Sequence, residues 1–166
     1  GVCGGDVKVF VEPHMPSPTL LLIGFGHVGR AVAELAHWLG YEVVVNDDRE
    51  GLDVESENVD LSVLGSVEDA VERPPIRPDT AIVAGTRNAG LDIAALPHLL
   101  ATDALYIGVM GSRRRWDTTR AALVAAGVAE SDLDRVRAPI GIEVGADTPE
   151  EIAVSIMAEI IACRDG

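Results

Sequence analysis

Apolar and polar positions follow different rhythms along this chain, and each rhythm predicts an element. Asp6-Val7-Lys8-Val9-Phe10-Val11-Glu12 alternates with a period near two and stops at Pro13, which predicts a half-buried strand. Pro13, Pro16 and Pro18 then form a stiff connector. Leu20-Leu21-Leu22-Ile23 is an unbroken apolar run, the pattern of a strand covered on both faces, and it enters Gly24-Phe25-Gly26-His27-Val28-Gly29 directly. Helical spacing begins at once, with Val28, Val32, Leu35 and Leu39 on one face until Gly40 supplies a stop. Tyr41 to Asn46 predicts a second strand, and Asp47-Asp48 follow its apolar centre.

Further on, Arg49 to Asp60 is acidic and weakly patterned, which predicts a loop with room for a short helix. Leu61, Val63 and Leu64 predict a short third strand, and Pro74, Pro75 and Pro78 a loop. Thr80 to Ala84 reads as a buried strand, and Leu91 to Leu100 as a helix interrupted or begun near Pro97. Ala104 to Val109 is another strand, stopped by Gly111, and Ser112 can cap a helix from Arg113 to about Ala126, closed by Gly127. Thr148-Pro149-Glu150-Glu151 opens a last helix with a capping Thr, a proline in the first turn and a Glu reaching back. Beyond it only Glu151, Ser155 and Glu159 form a polar stripe. So narrow a wet face predicts cover from a preceding domain or from a second copy of the chain, hence a homodimer.

Strands alternating with helices predict an α/β fold, a Rossmann-type open parallel sheet with helices on both faces. Residues 1–15 read as an N-terminal strand appended to a Rossmann domain over residues 16–166. In such a sheet the strand order reverses beside the first strand, and ligands lie across the carboxyl ends there. Three loops are expected to converge at that point: Gly24 to Gly29, Gly85 to Asn88, and Gly111 to Arg115.

Composition narrows the function. A formal net charge of −14 over 166 residues argues against nucleic acid and against an anionic membrane surface, both of which would repel the chain. Lys8 is the only lysine, and abundant acid with almost no lysine predicts a salt-adapted, halophilic source. Cys3 and Cys163 make neither a disulfide framework nor a zinc cluster, so reduced thiols in a cytoplasmic protein are expected. The chain begins at Gly1 without an initiator Met, which reads as a fragment of something longer.

The glycine turn carries the candidate chemistry. Gly24 permits a tight turn, Gly26 lets the backbone approach a pyrophosphate, and Gly29 lets the helix pack against the strand. Phe25, His27 and Val28 share the turn, with His27 open to bonding a phosphate or capping the helix. Asp47, at the end of the second strand, is where an acid reaches a ribose diol, which would favour NAD over NADP. Arg113, Arg114 and Arg115 are adjacent in an acidic chain, at the helix end that disfavours positive charge. An anion held by Gly111, Ser112, Arg113 and Arg114 would resolve both oddities. Successive helical residues splay by about 100 degrees, so at most one or two can face it. His14, His37 and His98 lack ligand spacing and read as surface residues, and no metal site or catalytic array follows from the spacing.

Taken together, Gly4-Gly5 with Asp6 to Pro13, the stretch Gly24 to Ala31, Asp47-Asp48-Arg49, Tyr106 to Arg114, and Ala138-Pro139-Ile140-Gly141 through Gly145-Ala146 to Thr148–Ala153 resemble the xanthine dehydrogenase accessory factor family, XdhC/CoxI. The match covers nearly the whole chain; its C-terminal motifs are specific, whereas the glycine turn is shared with many folds. The resemblance implies the Rossmann domain of a cytosolic maturation factor for molybdenum hydroxylases. Such a factor binds the molybdenum cofactor (molybdopterin) or a dinucleotide such as NAD and helps the cofactor receive its terminal sulfur. It then hands the cofactor to an apo molybdenum hydroxylase, with a cysteine desulfurase as a further partner. The resemblance also makes residues 1–15 the remnant of a preceding domain, including a Cys-Gly-Gly element at Cys3. It adds Thr86 and Arg87 to the cofactor-binding residues, with Asp92 beyond them. Asn88, Ala89 and Leu91 depart from it, standing where histidines are usual. An NAD-dependent oxidoreductase and a regulatory dinucleotide sensor are the competing readings.

Overall fold

The computed structural model describes residue 4 and residues 7–12, 16–49, 57–73 and 75–164. Six strands form one sheet: β1 (Thr19–Ile23), β2 (Glu42–Asp47), β3 (Leu61–Leu64), β4 (Ala81–Ala84), β5 (Tyr106–Val109) and β6 (Val136–Arg137). All pairings are parallel and the order is β3-β2-β1-β4-β5-β6, so the chain reverses direction of travel between β1 and β4. The helices are α1 (His27–Trp38), α2 (Val67–Glu72), α3 (Ala89–Leu100), α4 (Arg113–Ala125), the single turn α5 (Glu130–Leu133) and α6 (Pro149–Arg164). This is the Rossmann-type arrangement that the alternation of strands and helices predicts.

Period-two geometry splits the apolar strand residues between two layers. Leu20, Leu22, Val43, Val45, Ala81 and Val83 point to the layer holding α1 and α6. Leu21, Ile23, Val44, Ile82, Ala84, Ile107 and Val109 point to the other, with Leu96 and Leu99 of α3 and Leu123 of α4. A strand wet on neither face has no polar positions to spare, which is why β1 reads as a continuous apolar run.

Most predicted elements stand within a residue or two. Ser112 caps α4 by accepting from the Arg115 N–H, and Thr148 and Glu151 exchange hydrogen bonds at the start of α6. Helix α3 begins at Ala89, where Asn88 accepts from the Leu91 N–H, and it runs through Pro97 without stopping there. Residues 7–12 are not a strand; Val7, Val9, Phe10 and Val11 are exposed, and the alternation there finds no neighbouring strand among the described residues. Asp6, Pro13, Cys3, His14 and most of the segment expected to hold a short helix after Arg49 lie outside the described residues.

The polar stripe on α6 corrects a second expectation. Its residues bond to protein, with Ser155 buried, Glu159 partly buried and Glu151 still exposed. Glu151 accepts from the N–H groups of Asp147 and Thr148, Ser155 donates to the Ile142 carbonyl at 2.6 Å, and Glu159 accepts from the Gly141 N–H and the Tyr106 hydroxyl. Spaced four apart on one face, the three residues fasten the segment that joins β6 to α6. The apolar side is covered by α1 and the sheet of the same chain, with Ile156, Met157 and Ile160 buried. The helix therefore draws most of its apolar cover from the same chain, with Val154 left exposed.

Ile156→Ala is expected to lower the unfolding free energy by about 3 kcal/mol, the cost of a cavity in a filled core. Val154→Ala, on the exposed side of α6, should change it by less than about 0.5 kcal/mol. Urea unfolding of the two variants beside the parent checks the assignment of the covered face.

Candidate functional site

The carboxyl ends of β1, β2 and β4 meet at one place because the glycine turn permits backbone to touch backbone. Gly24 has φ of +97°, and a Cβ on it would lie 2.6 Å from the Gly85 carbonyl oxygen. A Cβ on Gly29 would lie 2.7 Å from the Gly24 carbonyl oxygen, so the first turn of α1 could not seat on the strand. Gly26 differs: a Cβ there would meet nothing within 4 Å. Two of the three glycines are thus required by the protein itself, and the third faces open space.

That space is a cavity of about 260 Å³. Gly24, Phe25 and Gly26 line it, with Asp47, Asp48 and Arg49 from the end of β2, Ser66 and Glu68 at α2, and Gly85, Thr86 and Arg87 after β4. Ile23, Val67, Leu91 and Ala95 supply its apolar wall. Of the residues expected from the sequence, Gly24, Phe25, Gly26, Asp47, Thr86 and Arg87 are brought together here. His27, Val28 and Gly29 stand behind the turn in α1, whose N-cap is Gly26 with no side-chain cap.

Asp47 sits at the predicted position, yet its carboxylate is already engaged. Its Oδ1 accepts from the Arg49 N–H at 3.0 Å and from Arg49 Nε at 2.8 Å; its Oδ2 accepts from the Phe25 N–H at 2.8 Å and from Arg49 Nη2 at 2.7 Å. Burial by itself would raise its pKa. The Arg49 guanidinium and the two backbone N–H groups outweigh that and hold it at about 2. Arg49 also donates to the Phe25 carbonyl, so the group clips the end of β2 to the glycine turn. Neighbouring Asn46 is buried and donates to the carbonyls of Val63, Gly65 and Ser66, which shapes the turn into α2.

On the other side of β1 a second cluster fixes the loop after β4. Arg115 donates to Asp92, to the Thr86 carbonyl and to Thr86 Oγ1, and Thr86 in turn donates to Asp92, which is 1% exposed. Of the three adjacent arginines it is therefore Arg115 that turns inward. Arg113 and Arg114 are exposed, and their side chains make no ion pair or hydrogen bond among the described residues. Gly111, Ser112, Arg113 and Arg114 stand at the end of β5, with β4 between them and β1, and do not line the cavity. Sequence reasoning missed the roles of Arg49 and Arg115. The splay of about 100 degrees between successive residues was the available signal that one arginine of the three would face away from its neighbours.

Among the described residues no helix is long and apolar enough to cross a membrane.

Asp47→Asn should lower stability by about 2 kcal/mol at neutral pH, from the depressed carboxyl pKa. Because the folded-state value lies below the unfolded one near 3.9, the difference is full above about pH 4. It should fade as pH falls toward 2, where the folded carboxyl itself protonates. Unfolding free energies measured from pH 2 to 6 for parent and variant test this.

Comparison with known proteins places this geometry. Residues 20–160 match the family described as the XdhC Rossmann domain. The chain is 39% identical over 166 residues to the uncharacterized protein YqeB of Escherichia coli (strain K12), covering 98% of this chain and 30% of that protein. It is 30% identical over 159 residues to a probable xanthine dehydrogenase subunit of Bacillus subtilis (strain 168), covering 95% of this chain and 46% of that one. A crystal structure described as a xanthine dehydrogenase from Bacillus halodurans superposes with a TM-score of 0.75 at 28% identity, over 90% of this chain and 43% of that one. The chain thus spans less than half the length of these relatives. With the family match running from β1 into α6, the chain belongs to the XdhC Rossmann-domain family.

Proposed function

We propose that the cavity over the glycine turn holds the phosphate-linked nucleotide part of a cofactor, and that the domain serves the maturation of a xanthine dehydrogenase-type molybdenum hydroxylase. One observation carries the ligand half of this reading. Gly26 lines the cavity, and no packing contact accounts for its missing side chain, since a Cβ would meet nothing within 4 Å. An open backbone at the start of α1, where N–H groups point outward, suits a phosphate. The apolar wall of Ile23, Val67, Leu91 and Ala95 suits the face of a base.

The molybdenum cofactor fits such a site through its phosphate, or through a pyrophosphate where it carries a nucleotide; NAD fits through the same group. The backbone from Gly24 to Gly29 and the side chain of Arg87 would hold the phosphates. Exposed Arg113 and Arg114, on the same edge of the sheet, would meet a second anionic part. When bound, molybdenum on its pterin supplies the oxygen-transfer and redox chemistry that the client enzyme uses. The domain's own residues bind and orient. Family membership and the name of the Bacillus subtilis relative support a xanthine dehydrogenase-type enzyme as partner. A cysteine desulfurase as the source of the terminal sulfur is part of the same proposal and rests on the resemblance of the sequence motifs alone. An oxidoreductase reading has less support. No histidine lines the cavity among the described residues, and Asn88, where the resemblance expects one, caps α3.

Gly26→Val should leave the fold nearly as stable as the parent, within about 1 kcal/mol, the range for changing an N-cap. It should weaken nucleotide binding at least roughly tenfold, about 1.4 kcal/mol, by filling the phosphate path. Calorimetry with NAD and mass spectrometry of small molecules released from the purified protein test this; unchanged binding removes the cavity from the proposal. The double replacement Arg113→Ala and Arg114→Ala should weaken binding of the pterin nucleotide at matched salt. Its melting temperature should stay that of the parent, since both side chains lie outside the core.

A further inference from the structure

The acid that sequence position assigns to the ribose cannot serve it without breaking the site. All four acceptor positions of the Asp47 carboxylate are filled, two on each oxygen, and one of the donors is the N–H of Phe25 within the glycine turn. Asp48, the next residue, lines the same cavity and is half-exposed. Its oxygens accept a forked pair from Arg87, at 2.9 Å from Nη1 and 3.0 Å from Nη2.

The course of that ion pair matters. Asp48 follows β2 and Arg87 follows β4, and these strands flank β1 on opposite sides. The pair therefore spans about two strand spacings, roughly 10 Å, across the end of β1 beside the glycine turn. That is the path a nucleotide takes through a sheet of this kind. An exposed carboxylate–arginine pair is weakly held, whereas a phosphate offers the same fork more oxygens and more charge.

Resting on the nucleotide reading of this cavity, we propose that Asp48, not Asp47, is the ribose acceptor, and that in the ligand-free domain its carboxylate occupies the seat on Arg87 that the ligand's phosphate takes. Binding is then an exchange. The phosphate takes Arg87, and the released carboxylate accepts the ribose hydroxyls at the end of β2. Asp47 and Arg49 remain clipped throughout. The ligand class this selects is a ribonucleoside carrying its phosphates on the 5′ side, because only such a molecule supplies both halves of the exchange. Inorganic pyrophosphate must evict Asp48 without giving it anything in return.

Calorimetry at matched salt with ADP, 2′,3′-dideoxy-ADP and inorganic pyrophosphate tests the exchange. The parent should prefer ADP over the dideoxy form roughly tenfold, the scale of hydrogen bonds to a charged group. In Asp48→Ala that preference should fall to near one, while pyrophosphate binds about two- to fivefold tighter because its competitor is gone. Arg87→Ala should weaken pyrophosphate roughly tenfold and keep the preference for the diol. Glu130→Gln removes a charge outside the cavity, where Glu130 pairs with Arg120, and it should leave the diol preference unchanged. Asp48 is half-exposed, so its variant is expected to melt with the parent, and circular dichroism verifies this before titration. If Asp48→Ala retains the diol preference, or binds pyrophosphate no better than the parent, the exchange is wrong and the cavity reading stands. If neither ADP nor pyrophosphate binds the parent or Asp48→Ala, both fall together.

Discussion

Everything at the working edge of this domain depends on one close approach between two pieces of backbone. The turn after β1 and the loop after β4 touch at Gly24 and Gly85, so tightly that a single added carbon on Gly24 would lie 2.6 Å from a carbonyl oxygen. Hydrogen bonds carry the ladder through the contact, from the Gly24 N–H to the Asn46 carbonyl and from the Gly85 N–H to the Ile23 carbonyl, both at 2.7 Å. The start of α1 leans on the same turn through Gly29. Three strands and a helix are thereby held in one arrangement, and the cavity is the space they leave.

Charge organises what surrounds that contact. In a chain with a net charge of −14, arginines are placed where a buried acid must be held. Arg49 clips Asp47 and the Phe25 carbonyl, and Arg115 clips Asp92 and Thr86. Each guanidinium uses several of its donors at once, which a lysine's ammonium could not do in the same planar geometry. Both clipped acids are buried, so each would carry a heavy desolvation cost if its arginine were removed. The pair between Asp48 and Arg87 has the same chemistry in an exposed setting. Burial distinguishes the clips that build the site from the pair free to rearrange.

Helix α6, packed against α1, fastens a loop by hydrogen bonds in a similar way. Its stripe of Glu151, Ser155 and Glu159 bonds to the segment from Gly141 to Thr148, and Ile140 at the head of that segment packs over Gly108, where a Cβ would lie 2.4 Å from Ile140 Cδ1. A narrow polar face on an apolar helix is thus a set of anchors for a loop at the carboxyl edge of the sheet.

The sequence by itself determined the parts of this protein that rest on local rules. The apolar run of β1, the glycine turn, the helical spacing of α1 and the caps at Ser112 and Thr148 all involve residues within a few positions of one another. Their expected places agree with the fold. Tertiary structure decided whatever depended on a partner far along the chain. Periodicity marked the polar stripe on α6 but could not say that a loop would bond to it. Position marked Asp47 as the acid at the end of β2, but the turn it serves lies 22 residues earlier. Composition marked three arginines, and only the placement of Asp92 and Thr86, 23 and 29 residues before Arg115, selected which one turns inward. Alternation at residues 7–12 is likewise a capacity to pair, realised only where a neighbouring strand presents itself. A pattern along the chain fixes which face is polar; the identity of what covers that face is a property of the packed whole.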